Sequence, residues 1–155
     1  MQEHVNKSAT VTKTRIPAIE GLFHVPDNPN DQPYLIGTKC PHCGNIAFPG
    51  IPACHRCGKR DAMQEYHFGQ KGKIASYTVV RATLPGFESP SIQSLIALEE
   101  GITIWALLTG CDPFGADLDL GMDVELVIAK VREDAQANEI VSYQYQPIRK
   151  FRSGE

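Results

Sequence analysis

The sequence predicts a mainly β protein in which an N-terminal extended arm, a small metal-bound ribbon and a C-terminal five-stranded barrel follow one another. Two Cys-x-x-Cys pairs, with ten residues between them, predict the ribbon. Five later segments rich in β-branched and aromatic residues predict the barrel. No segment keeps a 3.6-residue apolar period, so we expect little helix. The expected boundaries are 1–33 for the arm, 34–65 for the ribbon, 66–148 for the barrel and 149–155 for a C-terminal tail.

The predicted arm is polar and interrupted by prolines. Residues 26–33 contain three prolines, which rule out a helix or a central strand in this segment. Apolar side chains nearby, such as Leu22 and Phe23, can dock on the body of this chain or on another subunit. We therefore expect an extended segment that is held by a few apolar contacts.

The ribbon is predicted from two short cysteine turns, Cys40-Pro-His-Cys43-Gly and Cys54-His-Arg-Cys57-Gly. Turns of this kind bring four thiolates around one centre, and Zn²⁺ prefers four such ligands in a closed structural site. The glycine after each second cysteine permits the positive φ with which the chain curls around the sulfur atoms. The sequence therefore predicts a Zn²⁺ ion bound by Cys40, Cys43, Cys54 and Cys57.

Other uses of these cysteines fit the sequence less well. Disulfides need an oxidising compartment, and the N-terminus shows no apolar stretch typical of a signal peptide, which favours a cytoplasmic protein. A thioredoxin-like motif needs a βαβ setting that surrounds neither pair. Iron suits a Cys₄ tetrahedron as well as zinc does. His42 and His55 are interpreted as exposed, because each adjoins a cysteine and would strain to bind the same ion.

The barrel is predicted from five strand-like segments, at 72–83, 92–98, 102–108, 122–131 and 138–146. Alternation along the first segment predicts that Lys73, Tyr77 and Arg81 share one face, and that Ile74 and Ser76 share the other. Residues 99–101 are short enough to join the second and third segments as a hairpin. A long first strand followed by a hairpin favours an OB-fold, although a small sandwich has similar strands.

Charge and length exclude several functions. The net charge is −3, which argues against a general nucleic-acid binder, although basic residues collect between Lys39 and Arg81. No apolar run approaches the roughly 20 residues that span a bilayer, so we expect no membrane segment. The fifth cysteine, Cys111, follows an apolar run and is interpreted as a small buried side chain rather than a nucleophile.

Several short motifs occur in an order and spacing that resemble one family, the zinc-ribbon and OB-fold proteins catalogued as domain of unknown function 35. The match covers residues 33–147, and its motifs are Lys39-Cys-Pro-His-Cys-Gly44, Phe48-Pro49, Pro52-Ala-Cys-His-Arg-Cys-Gly58, Gly72-Lys-Ile-Ala-Ser-Tyr-Thr-Val-Val80, Pro85-Gly-Phe87, Leu95-Ile-Ala-Leu-Glu99, Gly110-Cys-Asp-Pro113 and Leu120-Gly-Met-Asp-Val124. The resemblance implies a rubredoxin-like zinc ribbon and a five-stranded OB-fold barrel. One departure is the proline-rich segment before the ribbon, where relatives have a short helix.

The resemblance also implies a function. Members of this family look like accessory subunits of acyl-CoA enzymes, which dock on a catalytic chain and complete its site for CoA or acyl-CoA. A thiolase acting on β-ketoacyl-CoA, in an anaerobic aromatic or steroid pathway, is the favoured partner; a thiolase-like aldolase and an enoyl-CoA hydratase are alternatives. A symmetric thiolase would carry two copies of this subunit. The resemblance therefore predicts a heteromeric complex that binds a CoA thioester.

Three residues are candidates for CoA contact. Lys73 and Arg81 can attract the phosphates, and Phe87, beside a glycine in a loop, can cover the pantetheine arm or the adenine. In the alternative interpretation, Phe87 caps the barrel core and Arg81 is only solvated. The sequence contains no Ser/His/Asp pattern, no His-Glu-x-x-His and no glycine-rich phosphate loop, so we expect no catalytic residues and assign the chemistry to the partner. A single-stranded nucleic-acid-binding module is the alternative from another class.

Overall fold

The computed structural model describes residues 13–149, and these residues form β-strands with no helix among them. The strands are β1 (Arg15–Pro17), β2 (Leu35–Lys39), β3 (Ile46–Ala47), β4 (Gln64–Phe68), β5 (Lys71–Val80), β6 (Ser91–Leu98), β7 (Thr103–Leu108), β8 (Asp123–Glu133) and β9 (Glu139–Pro147). Residues 1–12 of the predicted arm and residues 150–155 of the predicted tail lie outside the described part. Within that part, no helix is long and apolar enough to cross a membrane.

The last five strands close into the predicted OB-fold barrel. Around the barrel the strands follow the order β5–β6–β7–β9–β8, and β8 pairs again with β5. The β6–β7 hairpin is the predicted one, with Ile96 opposite Ile104 and Gly101 at φ 93° in the turn. The strands β7 and β9 run parallel, and every other pairing in the ring is antiparallel. The prediction of a five-stranded closed barrel is therefore confirmed.

One expectation about β5 is wrong. A β-bulge shifts its register with β6 between Ile74 and Ser76, so that Ser76 lies opposite Leu95 on the outer face. Because one extra residue inverts the alternation, Tyr77 turns inward while Lys73 stays outward. The alternation expected for Lys73 and Tyr77 is therefore wrong, and Arg81 lies beyond the end of β5.

The core of the barrel consists of apolar side chains from all five strands and the segment before β8. Its members include Ile74, Ile92, Ile96, Leu98, Ile104, Ala106, Leu108, Leu118, Val124, Leu126, Val141 and Tyr145. Each of them is nearly or fully buried. The hydrophobic effect over this continuous cluster is sufficient to explain why these short strands form one closed unit.

The ribbon is a three-stranded sheet in the order β3–β2–β4 that packs on the barrel. Its third strand, β4, was not foreseen from the sequence as part of the ribbon sheet. Aromatic rings make the junction: Phe48 lies edge-on to Phe68 at 5.9 Å and to Tyr143 at 5.5 Å between ring centroids. The β4–β5 turn then passes the chain directly into the barrel, so that ribbon and barrel share one apolar cluster.

The described part of the arm packs on its own chain. The strand β1 pairs in parallel with β9, with Arg15 opposite Glu139, and Phe23 is buried in the shared cluster. Farther along, the ring of Tyr34 is stacked between two histidine rings, His24 and His67, with centroid distances of 4.7 and 4.2 Å. Of the two docking surfaces expected for the arm, its own body is therefore the one observed.

Candidate metal centre and ligand groove

Four cysteine sulfur atoms converge at the tip of the ribbon. The Sγ atoms of Cys40, Cys43, Cys54 and Cys57 all lie within 4.8 Å of one another. The distances are 3.6 Å between Cys40 and Cys57 and 3.5 Å between Cys43 and Cys54. Four sulfurs at about 2.3 Å from Zn²⁺ in a tetrahedron lie roughly 3.8 Å apart, so these distances fit a bound zinc ion.

The two cysteine turns have the same backbone hydrogen bonds. In the first, the N–H of Gly44 donates to the carbonyl of Cys40 at 2.9 Å, and in the second the N–H of Gly58 donates to that of Cys54 at 2.9 Å. Both glycines have positive φ, 73° and 72°. A Cβ atom would strain this conformation, which explains the glycine after each second cysteine. The pair of matching turns is the reason the four sulfurs point at one centre.

Electrostatics at the four sulfurs favours a cation. The backbone N–H of Cys57 lowers the pKa of Cys54 to about 6, because it stabilises the thiolate. The N–H of Asn45 acts in the same sense on Cys43, but burial and the neighbouring sulfur atoms raise the pKa of Cys43 to about 11. Four thiolates at this separation repel one another, and a divalent cation would remove that repulsion. When bound, Zn²⁺ supplies structural cross-linking.

The two histidines of the cysteine turns are exposed, as the sequence analysis expected. The tip of the ribbon also exposes the cations Arg56, Lys59 and Arg60. No ion pair joins these three side chains to another residue of the described part of the chain. The metal centre therefore lies under a cationic tip, which we define as Arg56, Lys59 and Arg60.

The structure separates the three residues predicted to contact CoA. Lys73 lies on the outer face of β5 and pairs with Asp123 at 2.5 Å. Arg81 follows the other end of β5, and its guanidinium stacks over Phe114, 5.6 Å from the ring centroid. Phe87 lies in the loop 81–90 and is 46% exposed. Phe87 lines the groove described next, and contact of Lys73, Arg81 or Phe87 with CoA stays a prediction.

The cavity that Phe87 lines is a groove of about 600 Å³ beneath the loop 81–90. Its floor is the outer face of β7, which carries Trp105, with parts of the neighbouring strands, and its apolar wall includes Leu84. Both side chains are exposed, Leu84 at 74% and Trp105 at 49%. Sequence reasoning found Phe87 but missed the rest of this groove, because its walls come from segments far apart in the chain.

Cys111 also lines the groove and packs against the core, but it is only partly buried, where the sequence predicted a small buried side chain. Burial, followed by the carboxylates of Asp117 and Asp112, raises the pKa of Cys111. A raised pKa keeps a thiol protonated and weakens it as a nucleophile. The structure thus supports a packing role for this residue.

The fold and the metal centre together define a zinc-ribbon and OB-fold protein. Residues 31–63 match the family model described as the rubredoxin-like zinc ribbon domain of ChsH2, and residues 65–129 match that of the ChsH2 C-terminal OB-fold domain. A "DUF35 domain-containing scaffold protein" of Pyrococcus furiosus is 40% identical over 117 residues, covering 74% of this chain and 83% of that protein. The chain belongs to this family, as the sequence motifs indicated.

Two further relatives are named after enzymes. The "Benzoylsuccinyl-CoA thiolase subunit BbsA" of Thauera aromatica is 28% identical over 117 residues, covering 75% of this chain and 78% of that protein. A solved structure described as the "Ltp2-ChsH2(DUF35) aldolase" superposes with a TM-score of 0.62 at 25% identity, covering 74% of this chain and 84% of that one. One relative is therefore named as a thiolase subunit, and one solved structure with the same fold is named as an aldolase.

Proposed function

We propose that this chain is the non-catalytic, zinc-containing subunit of a thiolase that cleaves or forms a β-ketoacyl-CoA, and that it docks on the catalytic chain and completes its CoA site. The proposal rests on the sequence similarity between this chain, with its zinc ribbon and barrel, and a relative named as a thiolase subunit. A thiolase-like aldolase is the second candidate, favoured by the solved structure that carries that name. An enoyl-CoA hydratase remains an alternative from the sequence.

Within residues 13–149, the geometry supports a role without catalysis. The groups of His, Cys, Asp and Glu close enough to share a metal comprise only the four ribbon cysteines, which fill a closed tetrahedron and leave no open position for a substrate. His24 and His67 bond to carboxylates, Asp31 at 2.6 Å and Glu65 at 2.7 Å. The reacting groups are therefore assigned to the partner chain.

The ribbon is proposed as the docking element. Zinc holds the two cysteine turns rigid, and the cationic tip offers three unpaired charges to an acidic surface on the partner. A preorganised surface loses little conformational entropy on binding. The barrel, which follows directly after β4, would then lie over the CoA channel of the partner.

The proposal is tested by co-purification. The chain is tagged, expressed with the genes that flank its own, and purified, and the bound proteins are identified together with the zinc content. A stoichiometric thiolase-like chain supports the proposal, and an aldolase or hydratase chain changes the reaction but keeps the role. Turnover of a β-ketoacyl-CoA by the purified chain alone would contradict a non-catalytic subunit.

The docking element is tested by charge reversal. Lys59→Glu with Arg60→Glu should weaken the complex about tenfold or more, because like charges would face each other. Lys71→Glu on β5 is the matched control, since Lys71 is an exposed lysine outside the ribbon. Equal affinity of both variants for the partner would show that the ribbon tip does not dock.

A nucleic-acid-binding module is the candidate from another class. The observation that favours it is Trp105, half exposed on β7, because OB-folds bind oligonucleotides on the corresponding face. The net charge of −3 opposes it. Salt-sensitive binding of single-stranded DNA or RNA, without any enzyme recovered in co-purification, would favour this candidate over the proposed function.

A further inference from the structure

The groove beneath the loop 81–90 is lined by a largely buried glutamine whose amide has no hydrogen-bond partner among the described residues. Gln144 on β9 is only 7% exposed, and it lines the groove. Within the described part of the chain, its side-chain amide makes no hydrogen bond, whereas Gln146 two residues later bonds to Glu125 at 2.9 Å. Because Gln144 lines the groove and its amide is not engaged within the chain, its donor and acceptor are available to a ligand in the groove.

A second glutamine, Gln93, lies in line with Gln144 across the sheet. In the strand register, Gln93 of β6 lies opposite Leu107 of β7, and Leu107 lies opposite Gln144 of β9. Side chains at such paired positions share one face of a sheet, so two amides flank one leucine across the floor of the groove. Trp105, two residues before Leu107, lies on the same face. The floor therefore alternates hydrogen-bonding and apolar surface.

The groove is close to neutral. Its charged lining residues are Glu88 and Lys130, and they interact with each other electrostatically. Lys130 also forms an ion pair with Glu133 at 2.6 Å, so its positive charge is already compensated within the chain. A phosphate in the groove would face the carboxylate of Glu88, so an anionic group is disfavoured there. A neutral ligand fits this balance better.

We propose that the groove formed by Gln93, Leu107, Gln144, Trp105 and Phe87 binds the neutral pantetheine arm of a CoA thioester. Pantetheine is a flexible chain in which two amides alternate with methylene and methyl groups, and each glutamine amide offers both a donor and an acceptor to such a chain. The apolar groups pack on Leu107 and Trp105, while Phe87 covers them. The volume of about 600 Å³ is that of a small-molecule site.

This inference rests on the proposed function for the identity of the ligand, and it changes the residues assigned to CoA. Lys73 and Arg81 are replaced by two glutamines and a tryptophan, which sequence reasoning did not select. The phosphates of CoA would lie outside the groove, on the partner chain. Free pantetheine carries the part of CoA that the groove recognises and none of its phosphates, so it is the appropriate probe.

The sequence contains a single tryptophan, and this residue lies in the groove, so its fluorescence reports on binding directly. The full chain is titrated with pantetheine, with 3′,5′-ADP and with a single-stranded oligonucleotide. We expect saturable quenching by pantetheine that does not depend on salt, and none by the two phosphate-bearing probes. Absence of quenching by pantetheine, both for the chain alone and for its complex with the catalytic partner, would overturn the inference.

Two variants test the assignment of residues. Gln144→Leu should weaken pantetheine binding about three- to tenfold, because it removes one or two hydrogen bonds to the ligand. Phe87→Ala should weaken it similarly, and Leu120→Ala, which changes an exposed apolar side chain that does not line the groove, should leave it unchanged. Circular dichroism and zinc content confirm that each variant is folded.

The outcomes separate this inference from the proposed function. If a thiolase co-purifies but pantetheine does not bind, the groove assignment fails and the proposed function stands. If pantetheine binds but no acyl-CoA enzyme is recovered, the groove assignment stands and the proposed function fails. Weaker complex formation by Phe87→Ala without any pantetheine effect would instead make the groove a docking surface for the partner, and would overturn the inference.

Discussion

The ribbon and the barrel are stabilised in different ways although they adjoin in one chain. In the barrel, a continuous set of buried aliphatic side chains and Tyr145 fills the interior. In the ribbon, segment 40–58 has two buried residues, Cys40 and Cys54, and both belong to the group of four cysteines that could hold a metal ion. The comparison teaches that so short a segment cannot bury enough apolar surface, and that its four cysteines are placed where a metal ion would supply the missing stabilisation.

Loss of a zinc ligand is expected to have the largest effect. Cys54→Ser should unfold the ribbon and release zinc, because apparent zinc-binding free energies of about 10–16 kcal/mol couple directly to folding of such modules. The barrel, whose five strands contribute most of the shared apolar cluster, should keep its dispersed NMR signals. Zinc stoichiometry and a two-dimensional amide spectrum measure both effects.

The matched control for this prediction is Cys111→Ser, which changes a cysteine outside the metal centre. That variant should retain stoichiometric zinc. If Cys54→Ser also unfolds the barrel, then ribbon and barrel form one cooperative unit, and the barrel is not stable without the metal centre.

A core substitution tests the barrel in the same way. Ile96 is fully buried in β6, so Ile96→Ala should lower the free energy of unfolding by about 2–5 kcal/mol through lost burial and a residual cavity. The zinc content should not change in the folded protein. Denaturant unfolding followed by far-UV circular dichroism provides the measurement.

Its control lies one residue earlier on the opposite face of the same strand. Leu95 is 43% exposed, so Leu95→Ala should change stability by no more than about 0.5 kcal/mol. Similar losses for Leu95→Ala and Ile96→Ala would mean that the face assignment of β6 is wrong.

The junction between ribbon and barrel is expected to contribute less. Glu100, in the β6–β7 turn, accepts a hydrogen bond from the backbone N–H of Gly69 at 2.5 Å, and so ties this turn to the β4–β5 connection. The other carboxylate oxygen of Glu100 is buried and finds no partner among the described residues, which offsets part of the gain. Glu100→Ala should therefore cost about 1 kcal/mol.

Hydrogen exchange at Gly69 checks this prediction at the bond itself, since loss of the acceptor should expose that amide. Glu99→Ala is the control, because Glu99 is the exposed neighbour in the same turn. Unchanged protection of Gly69 in Glu100→Ala would show that the turn is held by other contacts.

The smallest effect is expected in the arm and depends on pH. The hydrogen bond from His24, together with the N–H of Asp27, holds the pKa of Asp31 below its ordinary value of 3.8. A lowered pKa in the folded state means that the stabilisation is complete above pH 3.8 and is lost as pH falls through the folded-state pKa. Asp31→Asn should therefore remove part of the acid-limb decline in stability.

The measurement is the free energy of unfolding between neutral pH and the acid limb for both proteins. Asp119→Asn, at an exposed acid of the barrel, serves as the control and should keep the shape of the wild-type curve. Parallel curves for wild type and Asp31→Asn would show that the His24–Asp31 contact does not contribute to stability.

The sequence by itself determined the features that depend on neighbours in the chain. Each cysteine turn is complete within five residues, so spacing alone placed Cys40, Cys43, Cys54 and Cys57 at one centre, and the structure agrees. The five barrel strands could likewise be predicted from the sequence, because runs of β-branched residues bounded by turn residues are recognised without knowledge of their distant partners. Local chemistry was sufficient in both cases.

Tertiary structure decided the features that depend on residues far apart. The bulge in β5 is fixed by pairing with β6, and it turns Tyr77 to the opposite face from Lys73, although simple alternation had placed them together. The groove forms where Phe87, Trp105 and Gln144 come together from three separate segments. The spacing of these residues in the sequence does not predict that they share a cavity. Register and closure are set by the whole barrel, so only the folded chain shows which side chains share a cavity.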